Sequence, residues 1–451
     1  MNLIVLAKVL WQREQLRQHD GWSRSQLEAH QSHELKVLRD YALERSPFYQ
    51  RFHKGLEGAA LSELPVLTKA DVMANFDEFV TDRSLKLQDL ETYLAGPNNT
   101  ERFEGRYWVS ATSGSTGRRG IFVSSLNEWV TVLASYSRAY AWGGVHAGLT
   151  RRTKMAVVSS RTPWHQSARV GASVQSPFIP TLRLDATESL EHNVTLLNAF
   201  QPEALVAYAS MAHELAIEQL EGRLKIAPRA VFTASEVLTE DMRQRIADAW
   251  GQQPFNVYAS TETAGIASEC DHHAGMHLYE DLVITEVVDE HNQAVPAGQY
   301  GEKLLVTVLF SRTQPLIRYE MSDSLRLTTR TCASGKPFAL VDGIQGRRED
   351  VLRLPALAGG MLEVHPNVFH RVMERTPVGE WQIVQESDGL RVLVVKPGAG
   401  FADDALAEAI RAELTVQGVM VPPISVKRVS RIPKTALGKT PLIKAALSRA
   451  L

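Results

Sequence analysis

A short loop of the 451-residue chain concentrates hydroxyl groups and glycines between two apolar runs. Glycine lets the main chain approach a ligand closely, hydroxyls donate hydrogen bonds, and the guanidinium groups of the following Arg118 and Arg119 suit phosphate oxygens. The loop therefore predicts phosphate binding, with a Ser/Gly-rich surface hairpin as an equal alternative. It is not the P-loop of nucleotide kinases, which has Lys directly after the second glycine and a helix behind it. The loop residues are Thr112, Ser113, Gly114, Ser115, Thr116 and Gly117.

A second polar group follows an apolar run that starts at Phe255. Tyr258 could stack on a purine, Thr261 could donate to a phosphate or carboxylate oxygen, and Glu262 could hold Mg²⁺, which takes oxygen ligands. By itself the pattern favours the alternative, a plain cap at the start of a helix. The group consists of Tyr258, Ala259, Ser260, Thr261 and Glu262.

Three further polar stretches follow. Asp323 ends an apolar run and could accept both hydroxyls of a ribose, although a turn is the common alternative. Residues 346–350 (GRRED) combine a glycine with two arginines and two acids, for which a solvated linker is the alternative. Residues 432–444 (IPKTALGKTPLIK) carry three lysines and could be a basic tail. Lys439 would be catalytic only if the fold returned it to the first loop.

The order of the apolar runs predicts an α/β fold that positions these residues. β-Branched runs at 155–160, 204–208, 230–232 and 255–258 alternate with helical patterns, which indicates a largely parallel sheet. Ligands of such sheets bind outside the carboxyl ends of the strands, where the polar groups fall. The helices between these strands are predicted at 189–199, 211–221 and 240–250.

The length predicts more than one domain. Residues 1–90 are rich in helix formers, and no chemistry is assigned to them, although Thr68 and Asp71 predict a capped helix start. Short strands with Gly and Pro turns then predict a β-rich subdomain, and the last hundred residues have the size of a small α+β domain. The predicted division is an N-terminal domain over 1–345 and a C-terminal domain over 346–451. Within the N-terminal domain, residues 1–90 form a helical region, residues 91–280 an α/β core and residues 281–345 a β-rich region.

The composition argues for small partners. A formal net charge of −2 gives no electrostatic case for nucleic acid or an anionic membrane. The two cysteines, Cys270 and Cys332, cannot form a disulfide framework and fit a reducing compartment. The first residues, MNLIVLAKVLW, resemble a helix face more than a signal peptide, and no apolar window has the length of a membrane span. A cytoplasmic protein is expected.

The motifs, taken in order, resemble those of the adenylate-forming superfamily, which includes acyl-CoA synthetases, adenylation domains and luciferases. Within it, the chain resembles the phenylacetate-CoA ligase branch, because a helical N-terminus ends in SPFYQRF and ASECDHHAGMHLYED follows the second motif. The resemblance implies a large α/β N-terminal domain and a small mobile C-terminal domain. The motifs are TSGSTG at 112–117, YASTE at 258–262, RYEMSD at 318–323, GRRED at 346–350 and PKTALGK at 433–439.

The resemblance also implies roles for individual residues. Residues 112–117 would lie over the β and γ phosphates of ATP, and Ser235 and Glu236 would line the adenine site, with Tyr258 packed on the adenine. Thr261 would contact the α-phosphate and the substrate carboxylate, and Glu262 would bind Mg²⁺. The remaining roles are ribose binding by Asp323 with Arg347 nearby, a hinge at Glu349, and stabilisation of the adenylation transition state by Lys439.

The implied reaction is ATP-dependent activation of a carboxylic acid to an acyl adenylate with release of pyrophosphate, followed by transfer to CoA. An aryl or other compact acid is expected, with pocket candidates Trp164, His165, Tyr208 and Ser210, for which ordinary packing is an equal alternative. Two other hypotheses remain. The acceptor could be a carrier-protein thiol or an amine, or the chain could be a catalytically silent binding homologue.

A structural zinc ion is a further implication of the resemblance. Relatives of this branch hold zinc with a Cys-x6-His pair and a later Cys-x-Cys-Gly, and this chain has Cys270, His277 and Cys332, with Ser334 at the fourth position. Structural zinc sites are almost always four-coordinate. The alternatives are therefore zinc with water or a neighbouring histidine as fourth ligand, a vestigial site without metal, or two ordinary buried thiols.

Overall fold

The structure is a computed structural model, which describes residues 3–96, 101–112, 119–146, 151–174, 176, 178–347, 351–364, 367–373, 375–435 and 438–445. The helices are α1 (Leu3–His19), α2 (Arg24–Arg45), α3 (Pro47–Phe52), α4 (Lys69–Ala74), α5 (Phe76–Phe79), α6 (Leu87–Ala95), α7 (Leu126–Trp142), α8 (Gln166–Val174), α9 (Leu190–Phe200), α10 (Ala209–Leu220), α11 (Glu240–Trp250), α12 (Asn367–Met373) and α13 (Asp403–Val416). A short 3₁₀ helix spans Leu61–Glu63.

The strands alternate with the helices in the middle of the chain and then follow one another without intervening helices. They are β1 (Trp108–Ala111), β2 (Ile121–Ser124), β3 (Met155–Ser159), β4 (Thr181–Asp185), β5 (Ala204–Tyr208), β6 (Ala230–Ala234), β7 (Phe255–Ser260), β8 (Ala264–Glu269), β9 (Met276–Leu278), β10 (Val283–Val288), β11 (Lys303–Val308), β12 (Tyr319–Met321), β13 (Asp323–Thr328), β14 (Leu340–Arg347), β15 (Leu352–Pro355), β16 (Met361–Val364), β17 (Glu380–Gln385), β18 (Leu390–Val395), β19 (Ile424–Arg428) and β20 (Ile443–Lys444).

The largest sheet has, among the described residues, nine strands in the order β13-β14-β9-β8-β7-β6-β5-β3-β4. Strands β4, β3, β5, β6 and β7 pair in parallel, which confirms the predicted α/β core. From β7 onward the pairing is antiparallel, so the sheet is mixed. The reason is the connection between β7 and β8. It has only three residues, whereas a parallel crossover needs a dozen or more.

Helices α9, α10 and α11 begin and end within two residues of their predictions, whereas α8 and strand β4 were not predicted. Ser189 and Thr239 accept hydrogen bonds from backbone N–H groups in the first turns of α9 and α11. Helix α11 ends at Gly251, whose φ of 72° is accessible to glycine without strain. These caps fix the helix ends. Because the strands are parallel, the loops that follow them lie at one edge of the sheet.

The N-terminal helices share a hydrophobic core with the middle of the chain. The buried residues Leu16, Leu27 and Leu38 belong to the same cluster as Tyr279 and Leu304. Thr68 and Asp71 form the predicted capping box at the start of α4. The helical region is therefore packed permanently on the α/β core.

The segment predicted as one β-rich subdomain divides between two sheets. Strands β10, β11 and β12 form a three-stranded antiparallel sheet, while β13 and β14 extend the edge of the large sheet. Residues 352–443 contribute a hydrophobic cluster of their own around a four-stranded sheet, β19-β18-β17-β20. Among the described residues, no helix is long and apolar enough to cross a membrane.

Candidate functional site

A cavity of about 480 Å³ opens at the carboxyl ends of β3, β5, β6 and β7. Its lining includes most of the predicted site residues that the structure describes, although they come from distant segments of the chain. The predicted residues in the lining are Thr112, His165, Tyr208, Ser235, Ala259, Ser260, Thr261, Glu262, Asp323 and Lys439. Lys439 is thus brought back to the sheet, and its interpretation as a basic tail is wrong.

The inner region of the cavity is apolar. Alternate residues of neighbouring strands point to one face of a sheet, and these side chains form a floor below helices α7 and α8. Tyr140 lies over the floor with its ring at 5.0 Å from that of Phe232, and burial raises the pKa of Tyr140 to about 12. The floor residues are Met155, Val157, Val206, Phe232 and Val257, and Tyr136, Tyr140, Val170 and Gly171 lie opposite.

The phosphate-loop candidate connects β1 and β2, which pair as an antiparallel hairpin. The Thr112 hydroxyl accepts a hydrogen bond from Gly120 N at 2.9 Å, and Thr112 N donates to Gly120 O at 2.9 Å. The Gln314 side chain accepts from Val123 N and donates to Ile121 O, which fixes β2. The base of the loop is therefore closed and anchored. Residues 113–118, which include Ser113, Gly114, Ser115, Thr116 and Gly117, lie outside the described residues.

Trp164 supports this hairpin from below and does not line the cavity. Its backbone oxygen accepts from Ala111 N at 2.9 Å, and its ring lies 4.5 Å from the guanidinium carbon of Arg119. Of the four acid-pocket candidates, His165 and Tyr208 line the cavity, while Trp164 and Ser210 do not.

The turn after β7 is shaped by Ser260. Its hydroxyl accepts hydrogen bonds from Glu262 N and Thr263 N, both at 3.2 Å, and Thr261 O accepts from the Gln166 side chain. Because β8 follows instead of a helix, the alternative interpretation of this motif as a helix cap is wrong. Thr261 and Glu262 face the cavity, whereas Tyr258 packs partly buried against the large core.

Acidic residues gather on the other side of the cavity. Glu262 shares the lining with Glu320 and Asp323. Asp323 begins β13 opposite Arg347 of β14, so the backbone pairing brings these two predicted ribose-site positions together. The hinge candidate Glu349 lies outside the described residues. Carboxylates of this kind are suited to Mg²⁺ and to ribose hydroxyls.

Ser235 and Glu236, predicted to line the adenine site, point in different directions. Ser235 lines the cavity and has a φ of 68°, a left-handed conformation that is uncommon outside glycine. Glu236 lies outside the lining. Its carboxylate accepts hydrogen bonds from Ser210 N at 2.9 Å and from Thr440 N at 2.6 Å. Burial raises the pKa of Glu236, although these N–H donors and the Lys439 charge act in the opposite direction.

The Lys439 segment is a tight turn. Thr435 N donates to Lys439 O at 2.8 Å, and Lys439 N donates to the Thr435 hydroxyl at 3.1 Å. The Lys439 ammonium lies 5.4 Å from the centre of the Tyr208 ring. The turn thus presents an ammonium group at the carboxyl end of β5.

Lys69 is a cavity residue that the sequence analysis missed. It is the first residue of α4, and its aliphatic chain passes close to Gly120 at the base of the β1–β2 hairpin. Its ammonium adds a positive charge beside this hairpin, so Lys69 is a further candidate for phosphate binding. The capping-box pattern predicted the start of α4 correctly. No local pattern, however, shows that the side chain of Lys69, the first residue of this helix, reaches a loop about fifty residues further along the chain.

The zinc-site candidates come together at the edge of the large sheet. The Cys270 sulfur lies 3.6 Å from the Cys332 sulfur and 3.5 Å from His277 Nε2, and the Ser334 hydroxyl lies 3.4 Å from His277 Nε2. Tetrahedral zinc with its usual bond lengths separates two sulfurs by about 3.7 Å and sulfur from nitrogen by about 3.6 Å. The donor atoms therefore fit one zinc ion, with the Ser334 hydroxyl near the fourth position.

Comparisons with known proteins give relatives over most of the chain, although no protein-family model matches it. Over 389 residues the chain is 26% identical to the phenylacetate-coenzyme A ligase of Thermus thermophilus, which covers 81% of this chain and 80% of that protein. It is 25% identical to protein CapK of Staphylococcus aureus, in an alignment that covers 72% of this chain and 68% of that protein. Among solved structures, 2-hydroxyisobutyryl-CoA ligase in its postadenylation state matches with a TM-score of 0.72 at 20% identity. The match covers 96% of this chain and 92% of that chain.

Proposed function

Since the chain belongs to the phenylacetate-CoA ligase-like branch of the adenylate-forming superfamily, we propose that it activates a carboxylic acid with ATP and transfers the acyl group to CoA. The observation that carries this proposal is the cavity shared by Lys439 with Thr261, Glu262 and Asp323. Relatives named as CoA ligases support a thioester product. The presence of these groups in one cavity argues against a catalytically silent homologue.

In the first half-reaction, a carboxylate oxygen of the acid attacks the α-phosphorus of ATP. The bond from the α-phosphorus to the bridging oxygen breaks, and pyrophosphate leaves. Negative charge on the phosphate oxygens must be stabilised while these bonds change, and a positioned ammonium such as that of Lys439 does so without reorganisation. The Thr261 hydroxyl would hold the α-phosphate and the substrate carboxylate in line.

The remaining cavity residues would bind the nucleotide. Asp323 would accept the ribose hydroxyls, with Arg347 beside it, and Ser235 would line the adenine site. Lys69, Thr112 and residues 113–117 would surround the β and γ phosphates. Mg²⁺ bound by Glu262 would neutralise phosphate charge and favour release of pyrophosphate.

In the second half-reaction, the CoA sulfur attacks the acyl carbonyl carbon, AMP leaves, and the thiol proton is released. The similar 2-hydroxyisobutyryl-CoA ligase is also solved with an acyl adenylate and CoA in a thioesterification state, which supports CoA as the acceptor. For this step we propose that the C-terminal residues rotate about Glu349 relative to the N-terminal residues, which include β14 and Arg347. The separate hydrophobic cluster of residues 352–443 supports this division.

The acid is proposed to be an aryl or other compact acid. The floor residue Phe232 and the facing rings of Tyr136 and Tyr140 enclose an apolar space beside Thr261, which suits a flat ring. His165 and Tyr208 would border this space nearer the nucleotide.

The experiment that tests the function is pyrophosphate release from ATP and Mg²⁺ with a panel of aryl and short aliphatic acids. We expect release that depends on the acid, and a CoA thioester identified by mass when CoA is present. Carrier protein and amine acceptors are added in separate reactions. Failure of every acid to stimulate release would contradict the proposal, whereas an adenylate that reacts with an amine or a carrier but not with CoA would replace the acceptor.

We also propose a structural zinc ion held by Cys270, His277 and Cys332, with the Ser334 hydroxyl completing the site. It would join the segment after β8 to the segment after β13, away from the cavity. Elemental analysis of protein purified without an affinity tag should find about one zinc per chain. Cys270→Ser should lose the metal, with Ser268→Ala as a control outside the donor set. Less than about a tenth of a zinc per chain in the unaltered protein would exclude the site.

A further inference from the structure

Glu236 joins two regions of the molecule through hydrogen bonds from two backbone N–H groups. One carboxylate oxygen accepts from Ser210 N, in the first turn of α10, and the other accepts from Thr440 N. The first partner belongs to the α/β core, and the second directly follows Lys439. Hydrogen bonds from N–H groups to a carboxylate are shorter and stronger than those between neutral groups.

Through its hydrogen bond with Thr440 N, this carboxylate restrains the position of Lys439. Two hydrogen bonds join Thr435 to Lys439: Lys439 N donates to the Thr435 hydroxyl, and Thr435 N donates to Lys439 O. The turn is therefore expected to move as a unit with Thr440. Gly438, in the same turn, lies against Ala186, and a Cβ built on it would be 2.7 Å from the Ala186 Cβ. A small displacement of the turn would therefore move the Lys439 ammonium relative to the cavity.

We propose that Glu236 is a positioning residue for the first half-reaction, which holds Lys439 in the cavity by capturing the Thr440 N–H group. The inference rests on the proposed function and adds to it, because Glu236 would act through Lys439 and without contact to the nucleotide. When the C-terminal residues rotate for thioester formation, this hydrogen bond breaks and the carboxylate keeps its Ser210 partner.

Glu236→Gln tests this role, because an amide has one acceptor oxygen and its NH₂ group cannot accept from the second N–H. Acid-dependent ATP–pyrophosphate exchange should fall about 10- to 100-fold in kcat, with the KM for ATP changed less than about threefold. Thioester formation from supplied acyl adenylate and CoA should stay within about twofold of the unaltered protein. Glu240→Gln, an exposed acid at the start of α11, is the matched control and should leave both half-reactions unchanged.

A double-variant cycle separates positioning from general damage. In a Lys439→Ala background, Glu236→Gln should cause little further loss of exchange, because both act on the same interaction. Gly438→Ala displaces the turn and leaves Glu236 intact, so it should cause the same selective loss of exchange. This second variant tests the proposal if Glu236→Gln does not fold.

The outcomes distinguish this inference from the proposed function. If the unaltered protein shows no acid-dependent exchange, the function itself is wrong. If the unaltered protein is active but Glu236→Gln mainly raises the KM for ATP, Glu236 belongs to the adenine site and the positioning role is overturned. Equal losses in both half-reactions, or full additivity with Lys439→Ala, would also overturn it.

Discussion

The N-terminal helices and the C-terminal residues are attached to the same α/β core by different kinds of contact. The N-terminal helices share the largest hydrophobic cluster, and a buried ionic network reinforces their attachment. Residues 352–443 have a cluster of their own and meet the core through polar contacts. The difference fits the proposed rotation of the C-terminal residues, because polar contacts can be replaced by water more easily than a shared hydrophobic core.

The permanent attachment centres on Arg138 of α7. Its guanidinium donates to both carboxylate oxygens of Asp281 at 2.7 Å and to Leu16 O of α1 at 2.9 Å. His19 contacts the same carboxylate at 2.7 Å. Burial opposes ionisation of Asp281, but the charge and hydrogen bonds of Arg138 and His19 lower its pKa well below the usual range. Breaking one member would leave a charge buried without its partner.

The separable attachment uses contacts that water can replace. Besides the Glu236 bond, Lys434 donates to Glu214 of α10 at 2.9 Å, and burial raises the pKa of Glu214. Partly exposed pairs of this kind contribute little each, typically about 1 kcal/mol or less. Few strong bonds must therefore break for the C-terminal residues to rotate.

The largest expected effect lies in the permanent attachment. Asp281→Asn should lower the free energy of unfolding by about 3–5 kcal/mol, because the buried Arg138 loses its two short bonds to a carboxylate and is left with the more distant Asp20, 3.6 Å from its Nε. A carboxylate whose folded pKa is lowered contributes stability above its unfolded pKa near 4, and that contribution disappears as pH falls through the folded pKa. Denaturant unfolding should therefore show a smaller loss of stability on acidification for Asp281→Asn than for the unaltered protein. Unaltered stability at neutral pH would contradict the permanent character of this attachment.

The next effect concerns the group that the separable region brings to the cavity. Lys439→Ala should lower the rate of adenylation by about 10²–10³-fold, because the ammonium stabilises charge that develops on the phosphate. Thioester formation from supplied acyl adenylate should be affected much less, and the free energy of unfolding should not change measurably. Quenched-flow or exchange assays of each half-reaction give the comparison, with Lys225→Met as an exposed control. A loss of the same size in both steps would remove Lys439 from the proposed role.

The smallest effect should come from the ion pair between Lys434 and Glu214. Lys434→Met should change the free energy of unfolding by about 1 kcal/mol or less, because the ion pair is partly exposed to water. Adenylation should fall by less than about fivefold, the factor that corresponds to 1 kcal/mol. A destabilisation as large as that of Asp281→Asn would mean that both attachments are permanent.

The sequence predicted the parallel half of the large sheet well. Strands β3, β5, β6 and β7 are short apolar runs bounded by turn residues, so their positions follow from local composition. Helix α7 went unpredicted because it is buried on most of its surface and has no polar face to mark it. The antiparallel half was missed because a change of strand direction depends on the length of one turn.

The site was predicted where motifs carry it and missed where distant residues converge. Thr261 and Glu262 directly follow β7 and Asp323 begins β13, whereas Lys439 reaches the same cavity from the C-terminal residues. Trp164 was expected in the acid pocket but supports the β1–β2 hairpin, and Lys69, for which no role was predicted, reaches the cavity. Such placements depend on tertiary packing, which no local periodicity encodes.

The bond between Glu236 and Thr440 leaves the side chain at position 440 without a role in docking. Because a main-chain N–H group is the donor, the bond itself excludes only proline at this position, and the burial of Thr440 limits the replacement to a small side chain. C-terminal segments from related ligases could therefore be recombined with this core and still dock, provided that a carboxylate occupies position 236. Libraries of such chimeras would keep Gly438 and Lys439 and vary other C-terminal residues, and the first half-reaction should stay intact.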